Sequence, residues 1–269
     1  MHASALGAKV KLISAADSSN YRKFIESNLN KNKVKFKIFN DGSNRTVVKE
    51  KFRTIEKTLL RINNYNNNFI NKSVSSKIIQ EIKKQIKKVD AVIISDFNYG
   101  LLSAEIVNSI QKHCKMYKKK IFVDCQSSSQ FGDLLRYKNI DLVTPTEYEA
   151  RINLKDFDSG LVVLSKNLMK KMKAKYMLLT LSKEGVMIQA SKKINGIETD
   201  RISSLSNVAK DISGAGDSLF VSTSLALSTG SNIWYATLIG SLMASLQVNR
   251  IGNKPIKKSK LEKLLKKFK

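Results

Sequence analysis

The sequence predicts an α/β fold: a mostly parallel sheet covered by helices on both faces, with a small half-exposed β unit near its start. Three observations carry this. Short continuous apolar runs, DAVIISD at 90–96, KIFVDC at 120–125, DLVTP at 141–145 and KYMLLTL at 175–181, read as strands buried on both faces. Segments of helical length separate them, as parallel crossovers require. Earlier, VKFKIF at 34–39 and TVVKEKFRTI at 46–55 alternate apolar and charged residues, so one face of each is wet.

In chain order, VKLIS at 10–14 reads as a strand and 18–30 as a helix. The runs at 34–39, 46–55 and LLRI at 59–62 are expected to form one small sheet. SVSSKIIQEIKKQIKK follows as an amphipathic helix with a serine as its cap candidate. Helices over 103–118 and 158–173 connect the buried strands. GVMIQA at 185–190 reads as an antiparallel edge hairpin, and helices near 215–229, 232–249 and 258–268 complete the chain. No internal repeat and no linker divides the sequence, so a single domain over 1–269 is expected.

Composition excludes several classes. No run of 18 or more uncharged apolar residues is present, and the first residues lack a signal-peptide pattern. The two cysteines, Cys114 and Cys125, form no framework and suit a reducing cytoplasm. The net charge is +26, but its 48 basic residues are nearly all lysines spread through the helices, as in KKQIKK at 83–88. That reads as solvated surface rather than a specific nucleic-acid interface, although such a surface still attracts phosphorylated metabolites. His2 and His113 are isolated and show no metal-ligand spacing.

In parallel sheets, ligands bind beyond the carboxyl ends of the strands. The polar residues gathered there are Asp96, Asp124, Gln126, Thr144, Glu149 and Ser182. Late in the chain, KDISGAGDSLF at 210–220 places Gly214, Ala215 and Gly216 before Asp217 and an apolar helix. Backbone N–H groups at such a helix start can hold an anion, and glycine lets a phosphate approach closely. A carboxylate in that first turn can take a proton from an attacking hydroxyl. No GxxxxGK[ST] loop and no strand-linked GxGxxG is present.

DISGAGDSLF resembles the DTxGAGD signature of the ribokinase-like (PfkB) carbohydrate kinases. Within that family the chain is most similar to the heptose-phosphate kinase domain of bifunctional ADP-heptose synthesis proteins. Further pieces follow in the family's order: TVVKEKFR resembles the lid strand, SDFNYGLLS the SDYxKGxL turn, IFVDCQ the VDPK strand end, VTPTEYEA the TPNxxE segment, and LLTLSKEGVMI the nucleotide-side strands. The resemblance implies a ribokinase-like fold with a β lid within about 34–62, and a kinase using ATP and Mg²⁺ on a sugar hydroxyl in nucleotide-sugar or surface-glycan supply. It implies that Asp217 is the general base and that Gly214, Ala215 and Gly216 form the anion hole. Asp211 would lie near the phosphates, and Glu149 would act through the magnesium shell. Ser182, Gly185, Ala244 and Gly252 would border the nucleotide, and Asp96, Asp124 and Gln126 the sugar. Family members often dimerise through the lid.

This sequence also departs from the family pattern. Thr146 stands where the family has Asn, Tyr99 where the SDYxKG turn has Lys, and Gln126 where the VDPK segment has Lys. Losing two cations argues for a sugar other than the family's sugar phosphate. The family's opening strand and GGxxxN segment have no counterpart ahead of ASALGA, so the resemblance implies an N-terminally truncated member. The alternative it leaves is a nucleotide- or sugar-binding regulatory protein without catalysis.

Overall fold

The computed structural model describes residues 1–42, 45–54, 58–65, 68–127, 130–191, 196–206 and 209–266. A short helix α1 (His2–Ala5) precedes strand β1 (Lys11–Ala16), helix α2 (Asn20–Lys31) and strand β2 (Lys35–Asn40). β2 lies parallel beside β1 in a two-stranded sheet. This corrects the expectation that 34–39 joins the lid. Helix α2 carries the chain back across one layer, and Leu29, Val34 and Ile38 close on Ala16 in a small apolar cluster. The lysines of KFKIF mark the wet face of that parallel pair.

The lid is a two-stranded antiparallel hairpin of β3 (Val48–Arg53) and β4 (Thr58–Asn64). Helix α3 (Lys72–Ile86) then buries Val74, Ile78, Ile82 and Ile86 at helical spacing. Its cap is Asn71, whose side chain accepts from Ser73 N, rather than the expected serine.

The central sheet has six strands in the order β10-β9-β8-β7-β6-β5. Strands β5 (Ala91–Asp96), β6 (Lys120–Cys125), β7 (Leu142–Val143) and β8 (Tyr176–Thr180) run parallel. The edge hairpin β9 (Val186–Ser191) and β10 (Ile197–Ile202) is antiparallel. The helices are α4 (Ala104–Met116), α5 (Glu147–Leu154), α6 (Leu161–Met172), α7 (Ala215–Ser228), α8 (Ile233–Val248) and α9 (Lys258–Leu265). The sequence reading did not anticipate α5. The end of the expected 258–268 helix lies outside the described residues.

Side-chain parity divides the core. Ile121 and Val123 of β6, and Met177 and Leu179 of β8, pack with residues of α3, α4 and α6. Phe122 and Leu178 point the other way, onto Leu219, Phe220 and Leu227 of α7 and Ile233 and Ala236 of α8. A strand apolar at every position is what two covered faces require. The same parity decides which strand-end residues reach the site.

Candidate active site

Asp124 shares the α7-facing side of β6 with Phe122 and lies at the strand's carboxyl end. It therefore points toward the start of α7. Thr144, just past β7, donates its hydroxyl to Asp124 Oδ1 at 3.0 Å. Gln126 Nε2 lies 3.1 Å from Asp124 Oδ2 and 3.3 Å from Asp217 Oδ1, so one amide bridges two carboxylates. Burial, with the Asp217 charge adding to it, raises the Asp124 carboxyl to a pKa of about 7. Ser95, the register partner of Asp124, is exposed on the same face and joins the rim. The sequence reading missed it, although the parity of AVIISD could have found it.

The glycine turn positions Asp217. Gly214 is left-handed at φ +78 and forms the N-cap of α7, a conformation that favours glycine. The first helical bond runs from Ser218 N to Gly214 O at 2.9 Å, so the N–H groups ahead of it in the first turn have no partner within the helix; that of Ala215, expected in the anion hole, donates back to Ile212 O at 3.3 Å instead. Asp217 sits in that turn, half-buried. Asp211 is buried and braces the turn: Oδ1 accepts from Ser213 N at 3.0 Å and Oδ2 from Gly252 N at 2.9 Å. Gln247, fully buried near the end of α8, adds two donations, to Ser213 O at 3.1 Å and Gly252 O at 2.7 Å. The turn is thus fixed to the loop after α8, and Gly252 reaches it through Asp211.

Asp96 does not join this cluster. Its parity on β5 matches Val92 and Ile94, on the opposite face of the sheet. There its Oδ2 pairs with Arg136 Nη2 and accepts the Tyr137 hydroxyl at 2.7 Å, and its Oδ1 accepts Asn98 N at 2.9 Å. Burial pushes the Tyr137 phenol and the Cys125 thiol upward, so both stay protonated. Asp96 is a buried structural ion pair supporting the 96–100 turn, in place of the sugar contact expected of it.

Glu149 ties the loop after β6 to α5. Its Oε1 accepts Ser127 N and its Oε2 accepts Thr146 N, each at 2.7 Å, while Thr146 Oγ1 accepts Glu149 N at 3.1 Å. That is a capping box, and it accounts for threonine at 146. Among the described residues no group of three or more His, Cys, Asp and Glu could hold a metal ion.

On the expected nucleotide side, Gly185 is left-handed at φ +97, and a Cβ there would fall 2.1 Å from Ile202 O. The close approach lets residues 203–204 pass beside it. Leu205 O then accepts Ser245 Oγ at 3.0 Å and Ser206 Oγ accepts Asn249 Nδ2 at 3.1 Å, which seats this segment on α8 next to Ala244. Ser182 is exposed in the preceding turn.

The lid hairpin reaches across to the strand ends. Lys49 Nζ lies 4.9 Å from the Phe97 ring and 5.1 Å from the Tyr99 ring. Lys51, two residues on and on the same face of β3, donates to Ser213 Oγ in the glycine turn at 2.5 Å. One cationic face of the lid thus touches both the β5 turn and the glycine turn.

Fold and site together define an α/β arrangement in which Asp124 at a parallel strand end, the glycine-capped start of α7 with Asp217 and the β hairpin meet. Residues 1–258 match the pfkB family of carbohydrate kinases, and the chain belongs to that family. It is 30% identical over 180 residues to the "Bifunctional protein HldE" of Campylobacter concisus, a match covering 65% of this chain and 35% of that protein. The chain therefore spans about a third of that relative. Among solved structures it resembles ribokinase from Giardia lamblia, with TM-score 0.78, 17% identity and coverage of 99% of this chain and 87% of that one. It also resembles Arabidopsis thaliana ribokinase complexed with ribose and ATP, with TM-score 0.75, 16% identity and coverage of 98% and 85%. These likenesses establish a ribokinase-like fold.

Proposed function

We propose that the chain transfers the γ-phosphoryl group of ATP to a hydroxyl of a sugar or sugar derivative. The observation that carries this is Asp217 in the first turn of a glycine-capped helix, held between Gln126 and Asn253. The sugar oxygen attacks phosphorus while Asp217 takes its proton, and the β–γ bridging bond breaks toward ADP. The first-turn N–H groups and the dipole of α7 stabilise the charge that builds on the phosphoryl oxygens. The lid lysines cover the site against water. Ser182, Gly185, Ala244 and Gly252 border the nucleotide. Magnesium supplies charge neutralisation on the phosphates. Both oxygens of Glu149 already accept backbone N–H groups, so Glu149 would act on a bound cation through its water shell rather than as a direct ligand.

The sugar lies against Asp124, Gln126 and Ser95, and its supply to nucleotide-sugar or surface-glycan synthesis in the cytoplasm belongs to this proposal by motif likeness. A homodimer through the lid is also part of it. The hairpin face opposite Lys49 and Lys51 exposes Phe52, Leu60 and Ile62 by 50%, 52% and 42%. Sugar-dependent release of ADP, measured over a panel of sugars with the parent and Asp217→Asn, tests the reading. Nucleotide binding with no sugar-dependent turnover would favour a binding protein instead.

A further inference from the structure

We propose that Asn253 is a positioning residue for the base, holding Asp217 from the loop after α8; this rests on the reading of Asp217 as the proton acceptor. Asn253 Nδ2 donates to Asp217 Oδ2 at 2.7 Å. Its Oδ1 lies 2.7 Å from His2 Nε2. A carboxylate only accepts, so the amide NH₂ faces Asp217 and the amide oxygen faces the imidazole, whose Nε2 donates in the tautomer that carries its proton there. An exposed asparagine would otherwise turn freely.

Gly214 makes the arrangement possible. A Cβ there would fall 2.1 Å from Asn253 Oδ1 and 2.7 Å from its Nδ2. The glycine therefore serves two ends in this chain: it takes the left-handed cap, and it vacates the space the asparagine side chain fills. The rest of the loop is braced independently, by Asp211 on Gly252 N and Gln247 on Gly252 O. Asn253 thus projects from a fixed point.

The two contacts on Asp217 are unequal. Oδ2 is held at 2.7 Å by Asn253, whereas Oδ1 has Gln126 at 3.3 Å, near the limit of a hydrogen bond. Oδ1 is the oxygen that opens to the substrate hydroxyl, and Oδ2 is the anchor. Both partners are neutral amides, which orient a carboxylate without the loss of basicity that a cation would impose.

The test compares the parent with Asn253→Ala and with the near-isosteric Asn253→Asp, which removes the donor and keeps the shape. With ATP and the best sugar of the panel, Asn253→Ala should lower kcat about 10- to 100-fold, since small misplacements of a reacting group cost that much. KM for ATP should stay within about twofold, because the loss is confined to the chemical step. Asn253→Asp should lose more, its carboxylate being set against that of Asp217. Crystal structures of the parent and both variants give a readout that does not depend on turnover. Asp217 should keep one rotamer on Asn253 in the parent and leave it, or split between rotamers, in the variants. An unmoved Asp217, or a kcat unchanged while the parent turns over, overturns the proposal. If no sugar drives turnover, the kinase reading fails, and the crystal comparison alone still decides the role of Asn253.

Discussion

Replacing Asp124 by asparagine should change how stability depends on pH, by an amount that follows from the site. In the folded chain the Asp124 carboxyl titrates near about 7, raised by burial first and by the Asp217 charge in addition. In an unfolded chain an aspartate titrates near about 3.9. Between those values the folded form holds a proton the unfolded form has lost, so stability falls as pH rises, by about 1.4 kcal/mol per pH unit. From pH 5 to pH 8 this amounts to about 3 kcal/mol, the slope fading as pH passes through about 7. Asparagine carries no such proton. Titrating groups away from the site, Asp17 among them, act alike in both proteins and cancel in the difference. Urea denaturation at pH 5 and pH 8 should therefore show Asp124→Asn gaining about 3 kcal/mol relative to the parent between the two conditions. A stability gap that stays constant within about 0.5 kcal/mol would refute the reasoning, because a carboxyl ionised in both states contributes no slope.

Two further outcomes follow from particular contacts. Gly214→Ala should lose about 2–3 kcal/mol in denaturant melts, from a side chain forced to φ +78 and from the displaced Asn253 hydrogen bond, and should also lose most turnover; a loss under about 0.5 kcal/mol would contradict the packing described. Phe52→Glu places a second charge beside Glu50 in the apolar patch on the outer face of the lid, so light scattering should show the parent dimeric and the variant monomeric at equal concentration, and a monomeric parent would remove the dimer proposal.

Much of this architecture was legible in the sequence because two signals are strong. Continuous apolar runs such as KIFVDC can bury both faces only in a covered parallel sheet, and the strand appears where the run stands. Likewise GAGD before an apolar helix placed Gly214 and Asp217 at the start of α7. What escaped was tertiary. Period-two alternation at 35–40 reports a wet face but not the partner strand, so β2 could not be distinguished from the lid. Asp96 and Asp124 look alike as acids at strand ends, yet they point to opposite faces; only counting parity against Ile94 and Phe122 separates the ion pair from the site. Glu149 and Thr146 resembled a metal-site segment, whereas a T-x-x-E spacing is equally the mark of a capping box. Asn253 had no local signal at all, since its role depends on a loop brought 36 residues back along the chain to Asp217.

Everything functional turns on whether the carboxylate beside Gly216 removes a proton from an incoming alcohol. The most direct measurement is sugar-dependent ADP release by Asp217→Asn beside the parent, with thermal melting to show that both are folded. A folded variant slowed about 10²–10⁴-fold, the worth of a general base, agrees with the mechanism. A folded variant that turns over as fast as the parent contradicts it.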